Sequence, residues 1–165
     1  MKKPKVYIET TVVSYLTAKP SRDIVIAGNQ QITREWWHTA AERFDLVASE
    51  LVLLEAASGD ADAARERLAA LASATLLDAS EEAEDLARIL IASGAIPSKA
   101  AEDAGHVSIA VTNGVEYLAT WNCRHIANAT MRSRIEEVCR KAGYEPTIIC
   151  TPAELMEPED EDDNH

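Results

Sequence analysis

Three carboxylates and one carboxamide stand at positions in this sequence where apolar neighbours dominate. Glu9 ends the short apolar run Val6-Tyr7-Ile8 and precedes Thr10-Thr11, the pattern of a buried strand running into a helix start. Glu55 falls in the stripe Leu51, Leu54, Glu55, Ser58, whose three- and four-residue spacing sets it on a helix face with leucines. Asp103 falls in a second such stripe, Ala100, Asp103, Val107, Ala110, Val111, and Asn122 closely follows the strand-like run Tyr117 to Thr120. A carboxylate on an apolar face is costly unless paired or neutralised. No Lys or Arg repeats the stripe to serve Glu55, although Lys99, four residues before Asp103, is spaced to pair with it. A shared Mg²⁺ or Mn²⁺ would satisfy all three acids, because hard cations take oxygen ligands. Each acid taken alone reads more readily as a cap, a surface group or half of an ion pair. Their joint placement is what points to a metal.

The elements that must position these groups alternate between strand and helix. Strand-like runs cover Val6 to Ile8, Asp45 to Ala48, Thr75 to Asp78, Tyr117 to Thr120 and Pro146 to Cys150. Between them, residues 22 to 42 carry helix formers with an apolar line at Ile32, Trp36 and Ala40, and Ser21 is placed to cap them. Ser49 opens a helix that Gly59 ends, and an alanine-rich helix follows over 61 to 73. Ser80 with Glu81 and Glu82 starts the next, Pro97-Ser98 opens one reaching Asn113-Gly114, and Asn128 caps the last, near Gly143. Such alternation predicts a doubly wound α/β domain, a parallel sheet covered on both faces. In open sheets of that kind, ligands sit beyond the carboxyl ends of the strands, where Glu9 and Asn122 fall.

With 165 residues, 47% of them hydrophobic and 27% charged, the chain is sized and balanced for one soluble domain. Cys123, Cys139 and Cys150 share no close spacing, which argues for free thiols rather than a disulfide framework or zinc site. The opening Met1-Lys2-Lys3-Pro4-Lys5 is basic like a leader, but Glu9 interrupts the apolar run after three residues, so a cytoplasmic protein is expected. The net charge of −12 at first argues against a nucleic-acid partner. Six of those charges, Glu157, Glu159, Asp160, Glu161, Asp162 and Asp163, lie in the last nine residues, and setting them aside leaves −6. The expected organisation is a domain over 1–152 and an acidic, disordered tail over 153–165.

From residue 5 to about 150 the sequence resembles a PIN domain of the VapC-type toxin group. Val6 to Thr11 resembles that family's opening strand and acidic-Thr turn, and Ser49 to Gly59 with Glu55 resembles its second motif. Asp103 followed by Val107, Ile109 and Ala110 resembles the third, and Tyr117-Leu118-Ala119-Thr120-Trp121-Asn122 the fourth. Two positions depart from the pattern: Glu9 stands where Asp is usual, and Asn122 where Asp is frequent.

The resemblance implies a three-layer α/β/α fold with sheet order 3-2-1-4-5. It also implies a Mg²⁺- or Mn²⁺-dependent endoribonuclease acting on RNA, paired with a small antitoxin and forming a homodimer. Glu9, Glu55, Asp103 and Asn122 would be the catalytic set, with Glu9 and Asp103 as principal metal ligands and Glu55 a ligand or the group that positions water. Asn122 would orient water or an outer-sphere ion, and Thr10 and Thr120 would hold the acids by hydrogen bonds. Lys19, Arg22, Arg124, Arg132 and Arg134 are the candidates for RNA phosphates. His106, one turn after Asp103, reads as a half-buried structural histidine rather than as part of the site.

Other readings compete. A phospho-receiver would want a Lys ending the fifth strand, where Cys150-Thr151-Pro152 has none, and a dehalogenase-type phosphatase would want Asp-x-Asp at Glu9-Thr10-Thr11. The stronger alternative is a catalytically impaired PIN-like scaffold that binds RNA or a protein partner, since fold alone does not guarantee activity.

Overall fold

A computed structural model describes residues 2–158 of the chain. Five short strands form one wholly parallel sheet: β1 Lys5–Ile8, β2 Asp45–Ser49, β3 Thr75–Leu77, β4 Tyr117–Ala119 and β5 Ile148–Cys150. Their order is β3-β2-β1-β4-β5. Seven helices connect and cover them: α1 Thr10–Thr17, α2 Ile24–Arg43, α3 Glu50–Ala56, α4 Ala61–Leu71, α5 Glu81–Ala92, α6 Ala101–Thr112 and α7 Ala129–Lys141. This is the three-layer α/β/α architecture and the sheet order that the resemblance implies.

The central strand is buried on both faces, as a parallel sheet under helices requires, and Val6, Tyr7 and Ile8 are all at 0% exposure. Around it, α1 packs against α2, α3 and α4, whereas α5 packs against α6 and α7. Few aromatics are needed, and Trp36 is the largest of the fully buried side chains. It sits between Trp37 and Phe44, on the apolar line with Ala40. Among the described residues no helix is long and apolar enough to cross a membrane.

Two local expectations are corrected. The N-cap of α2 is Asp23, whose carboxylate accepts from the Val25 and Ile26 amides, while Ser21, two residues earlier, accepts from Asp23 N. A carboxylate suits the positive end of a 20-residue helix. On α3, Leu54 is 65% exposed, and the buried face is Val52 and Ala56. Glu55, three residues after Val52, still reaches inward to meet Thr10 and His106.

The three thiols are free, with Cys139 and Cys150 buried and Cys123 exposed. Burial pushes Cys139 up to about 11 and Cys150 up to about 12, so both remain protonated at neutral pH. After β5 the chain makes a further turn, Pro152–Leu155, that packs on α2, where Arg43 donates to Leu155 O and pairs with Glu157 at 3.4 Å. The rest of the expected tail, residues 159–165, lies outside the described residues.

Candidate active site

Strand order alone selects a location. The connections leave β1 toward β2 on one side and arrive at β4 on the other, so the crevice between β1 and β4 is the switch point of the sheet. Glu9 and Thr120 are the first residues beyond those two strands. Glu9 N donates to Ala119 O at 3.1 Å, which carries the sheet pairing into the crevice.

Glu9 is 4% exposed and is the N-cap of α1. Its Oε2 accepts from Thr11 N at 2.9 Å, and its Oε1 accepts from Thr11 Oγ1 at 2.6 Å and from Thr120 Oγ1 at 2.5 Å. The same two hydroxyls accept from the next turn: Trp121 N donates to Thr11 Oγ1 and Asn122 N to Thr120 Oγ1. Glu9 is therefore the hub that ties the end of β1 to the end of β4, and its charge is met by dipoles rather than by a cation.

Glu55 reaches the crevice from α3. Gly105 of α6 faces α3 there, where a Cβ would stand 2.9 Å from Leu51 Cδ2 and that side chain would have to shift. Thr10 Oγ1 donates to Glu55 Oε1 at 2.6 Å, and His106 Nε2 meets the same oxygen at 2.5 Å. His106 is fully buried, its Nδ1 lies 2.7 Å from Tyr7 Oη, and Tyr7 Oη lies 2.7 Å from Ser49 Oγ. A run of polar groups thus crosses the apolar core from β2 to the site. One ligand atom each from Glu9, Glu55 and His106 lies within 4.8 Å of the others.

Asp103, half-buried on α6, is not one of that trio. The expected Lys99 pairing is absent: among the described residues no Lys or Arg makes an ion pair with Glu9, Glu55 or Asp103. Asp103 Oδ1 instead accepts from Asn122 Nδ2 at 3.0 Å. The orientation of that amide is fixed, because Asn122 Oδ1 accepts from His125 N at 3.2 Å and a backbone N–H can only donate. Asn122 thus offers its NH₂, not its oxygen, to the acid. Asp103 and His125 line a shallow cavity of about 310 Å³ with Lys99 and Glu102. A wider groove of about 610 Å³ between α5 and α7 lies among Ile89, Arg134, Val138 and Lys141, away from the acids.

The electrostatics follow from these contacts. Burial would raise Glu55, but its hydrogen bond with His106, the histidine's charge and the Thr10 hydroxyl together pull it down to about 2. His106 is the same interaction seen from the other partner: burial lowers it, and Glu55, Glu9 and Asp103 more than reverse that, leaving it raised. Glu102 is raised by its hydrogen bond and repulsion with Glu55. Asp103 is raised chiefly by burial, which outweighs the Asn122 hydrogen bond and the nearby histidines.

The basic candidates divide. Arg132 Nη1 donates to Ile149 O and pairs with Glu154, and Arg134 Nη2 donates to Ser93 O, so both serve the packing of α7. Lys19, Arg22 and Arg124 are exposed. His106, which the sequence reading left out of the site, is at its centre, and Tyr7, Thr11 and Glu102 join it.

No model of a known protein family matches the sequence, and no curated protein does. Among solved structures, a chain in the crystal structure of VapBC2 from Rickettsia felis, bound to a DNA fragment from their promoter, matches with a TM-score of 0.57. The identity is 16%, and the match covers 89% of this chain and 98% of that one. The fold is PIN-like. At this identity the likeness extends to the fold, and the chemistry has to be argued from the residues.

Proposed function

We propose that this chain is a metal-dependent endoribonuclease that hydrolyses RNA phosphodiester bonds and acts as the toxin of a toxin–antitoxin pair. The observation that carries the reading is that Glu9 and Glu55 meet at the switch point of a PIN-like sheet with Asp103 close enough to feel Glu55's charge, while among the described residues no Lys or Arg pairs with any of the three. One buried and two half-buried acids without a Lys or Arg partner are a donor set for a hard divalent cation, Mg²⁺ or Mn²⁺. Such an ion would supply the charge that polarises a phosphate and lowers the pKa of an attacking water.

The residues of the chain do the positioning. Thr11 and Thr120 hold Glu9, and Thr10 and His106 hold Glu55, so neither carboxylate has to be ordered when substrate arrives. Asn122 steadies Asp103. Lys19, Arg22 and Arg124, the exposed members of the basic candidates, would meet RNA phosphates. A small antitoxin as partner is supported by the fold match with a chain of VapBC2, and a homodimer and a cytoplasmic location belong to the same reading.

The deciding experiment incubates purified protein with single-stranded RNAs and Mg²⁺ or Mn²⁺. Cleavage should require the ion, stop with chelator and vanish in Asp103→Asn. Cutting that persists in that variant or resists chelation would sink the nuclease reading. The Asn122 amide on Asp103 favours a second reading, a PIN-like scaffold whose site is damped. That reading would be preferred if no RNA is cut while a small partner protein binds tightly.

A further inference from the structure

We propose that His106 is itself a metal ligand, its Nε2 completing with Glu9 and Glu55 a set of one nitrogen and two oxygens for a single ion. The inference rests on the metal-site reading above and goes beyond it, because it replaces an all-oxygen set with a mixed one. Three observations support it. The ligand atoms of Glu9, Glu55 and His106 lie within 4.8 Å of one another, close to the roughly 3 to 4 Å that separates neighbouring ligands of one ion at about 2.1 Å. His106 is wholly buried and presents Nε2 to the acids, since Nδ1 is engaged by Tyr7 Oη. It lies three residues after Asp103 on α6, so the helix delivers both toward one site.

The groups behind the ring fit this role. Ligating histidines carry a proton on the other ring nitrogen and donate it to a fixed acceptor. Here Nδ1–H would donate to Tyr7 Oη, and Tyr7 O–H to Ser49 Oγ, which also accepts from Val52 N. Each of these donors finds an acceptor, and on taking up an ion the ring would release to solvent the Nε2 proton it shares with Glu55 while keeping Nδ1–H on Tyr7 Oη. The Thr10 hydroxyl continues to hold Glu55 once His106 releases it. A nitrogen donor shifts preference from Mg²⁺ toward Mn²⁺ and later transition ions.

The test uses full-length protein loaded with Mn²⁺ and pulsed electron paramagnetic resonance, which detects nitrogen bound to the ion without reference to cleavage. A directly coordinated nitrogen should appear, change when the histidines carry the heavy nitrogen isotope, vanish in His106→Gln and persist in His125→Gln. Tyr7→Phe should weaken Mn²⁺ binding roughly 10- to 100-fold, the usual effect of removing the partner of a ligating histidine. Mn²⁺ bound through oxygen alone, or a nitrogen signal unaltered in His106→Gln, would overturn the assignment and leave the acidic site standing. Absence of any Mn²⁺ binding would overturn both. Isotope labelling of the unsubstituted protein decides the matter if His106→Gln does not fold.

Discussion

Asn122 donates its side-chain amide to Asp103 across 3.0 Å while its oxygen is held by the His125 backbone N–H. The pair joins α6 to the turn after β4, and it makes position 122 a donor where a carboxylate would be an acceptor. Asn122→Asp would therefore set two carboxylates against each other. The metal-free protein should lose roughly 1 to 3 kcal/mol, the scale of a hydrogen bond to a charged group, and lose less at pH low enough to protonate Asp103. Added Mg²⁺ should then raise the melting temperature more than in the parent, because an ion bridging the acids binds only the folded state. Thermal melts with and without ion read both effects, and an unchanged metal-free stability would mean that residue 122 does not face Asp103.

Asp103→Asn tests the same contact from the other side. The substituted amide can still present an oxygen to Asn122, and it removes a charge that burial disfavours. The ion-free variant should gain about 0.5 to 1 kcal/mol while its response to Mg²⁺ falls. Urea denaturation with chelator present measures the first and repetition with Mg²⁺ the second. Destabilisation of more than about 2 kcal/mol would make Asp103 a structural acid.

How much of this was legible in the sequence differs between fold and site. The strand runs, most caps and the order of the acidic positions read directly, because buried parallel strands are short continuous apolar runs and helices begin at Ser, Asn or Asp. The contacts of Glu9 did not: Thr120 lies 111 residues away, and nothing in a local pattern ties the two. Leu54 misled because α3 has only seven residues, too few for spacing to choose between faces. His106 was missed because α6 is buried almost all round, so the position of a histidine within it carried no facing information. The available signal was Tyr7, a phenol in the most buried strand that had to find a polar partner.

The Glu55–His106 pair predicts a window of pH for the metal-free protein. Glu55 is held at about 2 against an ordinary 4.5, so its contribution is complete above about 4.5 and is lost as pH falls toward 2. His106 is raised above its ordinary 6.5, so the contribution is complete below that value and is lost as pH rises through the raised one. One interaction underlies both limbs and is counted once, on the order of 2 kcal/mol at its maximum between them. Glu55→Gln should flatten both limbs in chelator-treated protein followed by urea denaturation across pH. Two limbs of unchanged height in that variant would show that other groups set the profile.

Glu9→Gln is the most informative single change, because Glu9 serves fold and chemistry together. Its Oε2 accepts a backbone N–H and its Oε1 accepts two hydroxyls. In glutamine one of these positions becomes NH₂. The oxygen must stay with Thr11 N, which cannot turn away, so the NH₂ group falls opposite Thr11 and Thr120. Both hydroxyls must then rotate, although each already accepts from the following turn. The variant should fold but lose about 1 to 2 kcal/mol, unlike Asp103→Asn, which gains. It should also lose RNA cleavage and most of the Mn²⁺ response, since the charge that holds the ion is gone. Stability equal to the parent with cleavage intact would place the reacting centre elsewhere, whereas lost cleavage at a modest stability cost is the result expected if the hub of β1 and β4 is also the floor of the active site.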